Sequence, residues 1–331
     1  MLVNPEFETL SVRGLTSLRD GLTVTGAAAF RGGITSVPNA NAPTSNVVIG
    51  STAGNALQSG AANNVLIGSG AGDGITTGDR NVGIGTDALG AATSGAIENC
   101  VAVGHNALLV ATGNSNTAIG HASGDAVTTG SENTLVGQSA GGAVSTGARN
   151  VAMGHVAMNT VTTGSDNVSI GTTSMQIAAS TSAENVAVGR SALIRGTCSQ
   201  SVAIGSNAGA YFASFQNLTA VTNSIFIGAF ANPSLDNPSN CIVIGYNVQG
   251  DGSNTAVLGN SSITSTRIAG SATSKVTVDG DTMRIVGTRT PASNAAGTAG
   301  DFAFGTNSGT TYLYYCIASG NWGRVALTTG Y

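Results

Sequence analysis

Between Asn46 and Gly259 the chain returns thirteen times, about every 17 residues, to a five-residue phrase of the form Asn, apolar, small, apolar, Gly. The plainest copies are NVVIG (Asn46 to Gly50), NVLIG (Asn64 to Gly68), NTAIG (Asn116 to Gly120), NVAMG (Asn150 to Gly154) and NVAVG (Asn185 to Gly189). Others begin with Cys, Ser or Thr, as in CVAVG ending at Gly104 and SVAIG ending at Gly205. Self-similarity at a fixed spacing marks a stack of structural repeats, in which each unit buries its apolar surface only against its neighbours.

The phrase alternates with period 2, so each copy predicts a short strand, and the spacing leaves room for little more than one further strand and two turns. That is one coil of a parallel β-solenoid. The large second and fourth positions are expected to point into the coil, and the Gly to mark a sharp bend or a close approach to a neighbour. The Asn heading most copies is expected to stack on its counterpart one coil away and share amide hydrogen bonds along a ladder. The middle position would then face outward. It is small or apolar throughout, where a wet strand face would be polar. Val48, Leu66, Ala118, Leu135, Ala152, Ala187, Ala203 and Phe226 are accordingly the candidate interface with other copies of the chain. Thirteen coils at ~4.8 Å make a stripe roughly 60 Å long, an aggregation site unless covered.

SVAIG (Ser201 to Gly205) followed by SNA, together with NVAVG (Asn185 to Gly189), resembles the head repeat of trimeric autotransporter adhesins. The resemblance covers residues 46 to 262. It implies a left-handed parallel β-roll in which three chains pack around one axis. The repeat here is longer than the family pattern, and the extra residues lie in turns such as ITTG before Asp79 and VTTG before Ser131 and Ser165.

Other features depart from that family. MLVNPEFETL has neither a basic start nor an apolar run, so no secretory leader is expected, and the last 70 residues show neither heptads nor a set of lipid-facing strands. Nothing resembles a transmembrane helix, and no membrane insertion is expected. Residues 7 to 34 alternate around Gly14, Gly21 and Gly26, and LxVxGLTxLxxGLTVTG resembles shaft repeats of phage tail fibres. PNANAPTS (38 to 45) reads as a linker, and KVTVDGDTMRIV (Lys275 to Val286) as a hairpin with an Asp-Gly turn. The closing GTAGDFAFGTNSGTTYLYYCIASGNWGRVAL resembles a small β module that ends many phage and large-virus fibre proteins. The expected organisation is an N-terminal shaft and attachment segment (1–45), the solenoid (46–262), a β neck (263–290) and a C-terminal β tip (291–331).

Composition favours a built object over a catalyst. Charged residues are 8% of the chain, where about 25% is ordinary, and 48 of its 331 residues are Gly. One Lys (Lys275) and a net charge of -4 leave no basic stripe to track phosphates, so nucleic acid is not an expected partner. GSGAGDG (Gly68 to Gly74) mimics a phosphate loop, but no Lys follows and the repeat explains its glycines. Cys100 and Cys241 occupy ladder positions too far apart for a disulfide, and all four cysteines read as reduced thiols. His105, His121 and His155 each follow a repeat Gly. The first two lie on adjacent coils with rings ~5 Å apart, yet Ser, Thr, Gln, Arg and Asn hold the same place elsewhere, so no metal and no cofactor is expected. Sequons at Asn167, Asn217 and Asn260 carry weight only in a secretory pathway.

No Phe, Tyr or Trp occurs between Arg31 and Ala210. Tyr211, Phe212 and Phe215 then fall in the longest interval between repeats, and Tyr312, Tyr314 and Trp322 in the closing module. Aromatic faces beside Asn, Asp and Ser suit sugars, and the same residues equally plug solenoid ends or core a small domain. These six are the receptor-binding candidates. The sequence therefore predicts an all-β, elongated homotrimer: a non-enzymatic fibre or spike of a phage or related virus, assembled in the host cytoplasm and carried on the virion. A virion or tail protein would hold its N-terminus, and a host glycan or protein would be its receptor. The alternative is a cell-surface trimeric adhesin or surface-layer component. A solenoid glycan lyase would need clustered carboxylates, whereas Asp73, Asp87, Asp125, Glu132, Asp166 and Glu184 are scattered over turns.

Overall fold

The computed structural model describes residues 45–91, 95–212, 216–263, 302–307, 310–318 and 321–327. The segments at 7–34, 38–45 and 275–286, apart from Ser45, lie outside them. The chain divides into two units, 1–264 and 265–331. The first is a parallel β-solenoid and the second carries an antiparallel sheet.

Every copy of the repeat phrase forms a three-residue strand, from Val47–Ile49 through Thr117–Ile119 to Ala256–Leu258, and the thirteen pair in chain order into one parallel sheet. The register never slips: Val48 lies beside Leu66, Ala118 beside Leu135, Ala203 beside Phe226. The repeat Gly holds this register for two reasons. At Gly137 φ is +130°, a conformation closed to side chains, and a Cβ there would lie 2.6 Å from the Gly154 carbonyl oxygen on the next turn.

The expected second strand per turn is present only locally, where Ile177–Ala178, Arg195–Ser199 and Ala220–Thr222 form a short parallel sheet. Elsewhere the return path is made of turns that bond directly to the turn above. Thr128 N donates to Ser145 O at 2.9 Å, and Thr128 Oγ1 adds a second bond to the same oxygen at 3.1 Å. This explains the TTG turns: the hydroxyl reinforces the ladder, and a Cβ at Gly113, Gly130 or Gly147 would strike the carbonyl of the next such glycine. The Asn ladder is present and fully buried. Asn150 Nδ2 donates to Asn133 Oδ1 at 3.1 Å and to Gly164 O at 2.9 Å, while its own Oδ1 accepts from Asn167 Nδ2 at 3.0 Å. Cys100 interrupts the amide row, and Asn116 turns to the carbonyls of Gly113 and Gly130 instead.

The strand faces are the reverse of the sequence expectation. Val48, Leu66, Ala118, Leu135, Ala152, Ala187, Ala203 and Phe226 are 0–1% exposed, sealed inside their own coil, so they are not an interface with other chains. The second and fourth positions face outward. The coil is too narrow for two rows of large aliphatics. Its interior is filled by the middle residue together with the residue six places on, and the two trade volume. Gly83, Ala102, Ala152, Ser169 and Ala187 are followed by buried Leu89, Leu108, Met158, Met175 and Leu193, whereas Leu66 and Leu135 are followed by Gly72 and Gly141. Where both are small, as at Ala118 with Gly124 and Ala203 with Gly209, the large middle residue of the next turn, Leu135 or Phe226, reaches the glycine corner, so the interior is filled by neighbouring turns together.

In the second unit, Phe302–Asn307, Thr310–Ala318 and Asn321–Leu327 form a three-stranded antiparallel meander, with a register shift between Cys316 and Ala318.

Candidate interaction surface and binding sites

The outer face of the long sheet presents two unbroken columns of side chains. The second-position column is mainly Val or Ile, varied by Thr117, Thr134 and Ala256, and is half-buried except for the exposed Ala256. In the fourth-position column, Ile49, Ile84, Ile119, Met153, Ile170 and Ile204 are exposed at 37–42% even though their strands are paired on both sides or, for Ile49, on one. No charged residue occurs in either column. At ~4.8 Å per strand the face runs roughly 60 Å, and even a width of about 10 Å gives an apolar strip on the order of 600 Å², at the upper end of what monomeric proteins leave in water. Sequence reasoning missed this face because it placed the larger residues inside. The available signal was the middle position itself, which ranges from Gly83 to Phe226, as an interior site does when neighbours compensate.

Along one border of the face runs the polar row that follows the repeat glycines. Within it His105 and His121 stack, with ring centroids 5.3 Å apart and planes 12° from parallel, as their adjacent-coil placement anticipates. His155 is exposed as well, but Gln138 and Thr172 are its row neighbours. Tyr246, in the same row, is 69% exposed and was not among the sequence candidates. Among the described residues no group of three or more His, Cys, Asp or Glu side chains is placed to hold a metal ion.

The aromatic candidates fall into separate places. Tyr211–Phe212 pairs with Gln216–Asn217 as an antiparallel hairpin, projecting from the longest inter-repeat segment. Phe212 packs against the solenoid core, Tyr211 is half-buried, and Asn232 Oδ1 accepts from the backbone N–H groups of Ala210 at 2.8 Å and Tyr211 at 3.3 Å. Phe215 lies outside the described residues, as does the side chain of Trp322. In the second unit the Arg324 guanidinium sits 4.5 Å over the half-buried Tyr312 ring, and Tyr314 is buried with its hydroxyl unpaired. Tyr211 and Tyr312 thus remain accessible, while Phe212 and Tyr314 serve packing.

Ion pairs join neighbouring turns at the surface. Arg149 grips Asp166 with two bonds of 2.7 and 2.8 Å, holding that carboxyl below its ordinary range, and Arg80 reaches Glu98 at 2.6 Å. Exposed pairs of this kind contribute little to stability. Asp73 and Asp125 are shifted upward, chiefly by burial. Cys100, Cys198 and Cys241 are buried free thiols, and burial pushes Cys198 up to about 12. No helix among the described residues is long and apolar enough to cross a membrane. Comparison of the chain with protein-family models, curated proteins and solved structures gave no match.

Proposed function

We propose that this chain is a structural fibre or spike protein of a bacteriophage or related virus, acting as a homotrimer that attaches the particle to its host. The observation that carries the reading is the apolar outer face of the sheet. A strip of this length, without charge and with large aliphatics two-fifths exposed, is a surface built to be covered. A second copy of the same chain offers a face of identical spacing and chemistry. The number three comes from the resemblance of the repeat to adhesin heads, which also implies a left-handed roll.

In this account the interface is the column Ile49, Ile84, Ile119, Met153, Ile170 and Ile204 with its second-position neighbours. Host contact belongs to Tyr211 in the side hairpin and to the terminal sheet with Tyr312, where side chains are larger and more varied than the small residues and short turns of the preceding coils. The virion-proximal role falls to residues 1–45. Purified chain should compete with intact particles for adsorption to host cells. A chain ending at Gly259 should lose competition if the terminal sheet binds, and Tyr211→Ala should lose it if the hairpin does. If the parent chain does not reduce adsorption at saturating concentration, the attachment role fails.

A further inference from the structure

Gly104 and Gly120, which precede His105 and His121, follow strands that pair in register, with Val103 beside Ile119. The backbone is tied on both sides of the pair: Gly120 N donates to Val103 O at 2.8 Å, and Ala122 N donates to His105 O at 2.9 Å. The two Cβ atoms are therefore held one strand spacing apart by the solenoid itself, and the imidazoles project side by side into solvent. The geometry points to a two-imidazole chelate for a divalent first-row transition ion such as Ni²⁺ or Zn²⁺, with His105 and His121 each giving one nitrogen and water completing the sphere.

Metal–imidazole bonds of ~2.0–2.1 Å at a tetrahedral angle need nitrogens roughly 3.4 Å apart. Near-parallel rings with centroids at 5.3 Å meet that by tilting toward each other about their exposed Cβ–Cγ bonds. The backbone pays no conformational cost, because the repeat has already fixed it. Asp125 stands close enough to His121 for their charges to interact, adding negative potential beside the pair. Imidazole selects Ni, Cu and Zn, whereas Ca²⁺ and Mg²⁺ demand oxygen shells that this pair does not offer. His155 supplies an internal control: it has the same row and the same exposure, but no ring beside it.

The test is calorimetric titration of Ni²⁺ into the untagged full chain at neutral pH. One Ni²⁺ per chain is expected. His105→Ser and His121→Thr introduce residues that the same row carries at Ser69 and Thr86, and far-UV circular dichroism verifies that each variant folds. Each should weaken binding by about tenfold or more, because loss of an outer-shell partner alone typically costs about 10–100-fold and a direct ligand contributes more. His155→Ser should leave binding unchanged, and Ca²⁺ or Mg²⁺ should give no binding heat. Absence of Ni²⁺ binding to the parent, or its retention in the folded double variant, overturns the site. Because both ligands lie in one chain, the result does not depend on host attachment.

Discussion

Leu135 fills the space that Gly141 leaves open: a Cβ at Gly141 would lie 2.6 Å from Leu135 Cδ2. Gly124, one turn back, stands in the same relation to Leu135 Cδ1. A single leucine thus spans two turns whose corner residues are glycine, while other turns put the bulk at the corner, as with Leu108 beside Ala102.

This pairing predicts a measurable coupling. Leu135→Ala should destabilise by about 2–5 kcal/mol through the cavity it leaves. Gly141→Ala should cost about 1–3 kcal/mol from overpacking, besides a backbone strain at φ +60° that the double variant retains. In the double variant the new methyl enters vacated space, so the two losses should fall short of their sum by about 0.5–3 kcal/mol. Chemical denaturation of the four proteins gives the cycle, and strict additivity would contradict the assignment.

The ladder makes a second prediction. Asn150→Ala removes the acceptor of both Asn167 N and Asn167 Nδ2 and the donor to Gly164 O, all buried, while Asn133 Oδ1 keeps the backbone N–H of residue 150. Each group left unpaired costs about 1–3 kcal/mol, so the variant should melt well below the parent. Asn55→Ala, at an exposed turn, should melt near it. Thermal scans followed by circular dichroism decide between these outcomes.

The repeat, the parallel solenoid, the in-register pairing and the Asn ladder were legible in the sequence because each depends on strict periodicity. The orientation of the strands was not. Period 2 says that Ala152 and Met153 point to opposite sides without saying which side is dry. The usual guide, a polar outer face, fails when both faces are apolar. What decides is the width of the coil, a property of its turns: the αL corners at residues such as Leu108 (φ 48°) and Met158 (φ 53°) bring bulky side chains inward and leave room only for a small partner. The His105–His121 stack was readable from spacing alone. The burial of Tyr314 and the core packing of Phe212 were not, since an aromatic residue suits a core or a binding face equally well.

Burial makes the cysteine chemistry predictable. The thiolate is the reactive form, and Cys198 is pushed from an ordinary 9.0 up to about 12. Native protein alkylated with iodoacetamide at pH 8 should leave Cys198 unmodified by peptide mass mapping, and denaturant should expose it to full modification. The sign for stability follows. The unfolded chain ionises near pH 9 and the folded chain does not, so this contribution is intact below pH 9 and is lost as pH rises toward about 12. Equal alkylation of native and denatured protein would show that the thiol is accessible.

Self-association through the outer face is tested most directly by sedimentation at micromolar concentration, comparing the parent with Ile119→Asp and with Thr129→Asp at an exposed turn. The account predicts a parent species of three times 32.4 kDa. It predicts the same species for Thr129→Asp, and a folded monomer for Ile119→Asp, because a carboxylate there would be buried without a partner in the assembled face. A parent chain that sediments as a monodisperse monomer, or an Ile119→Asp variant that assembles as the parent does, would contradict it.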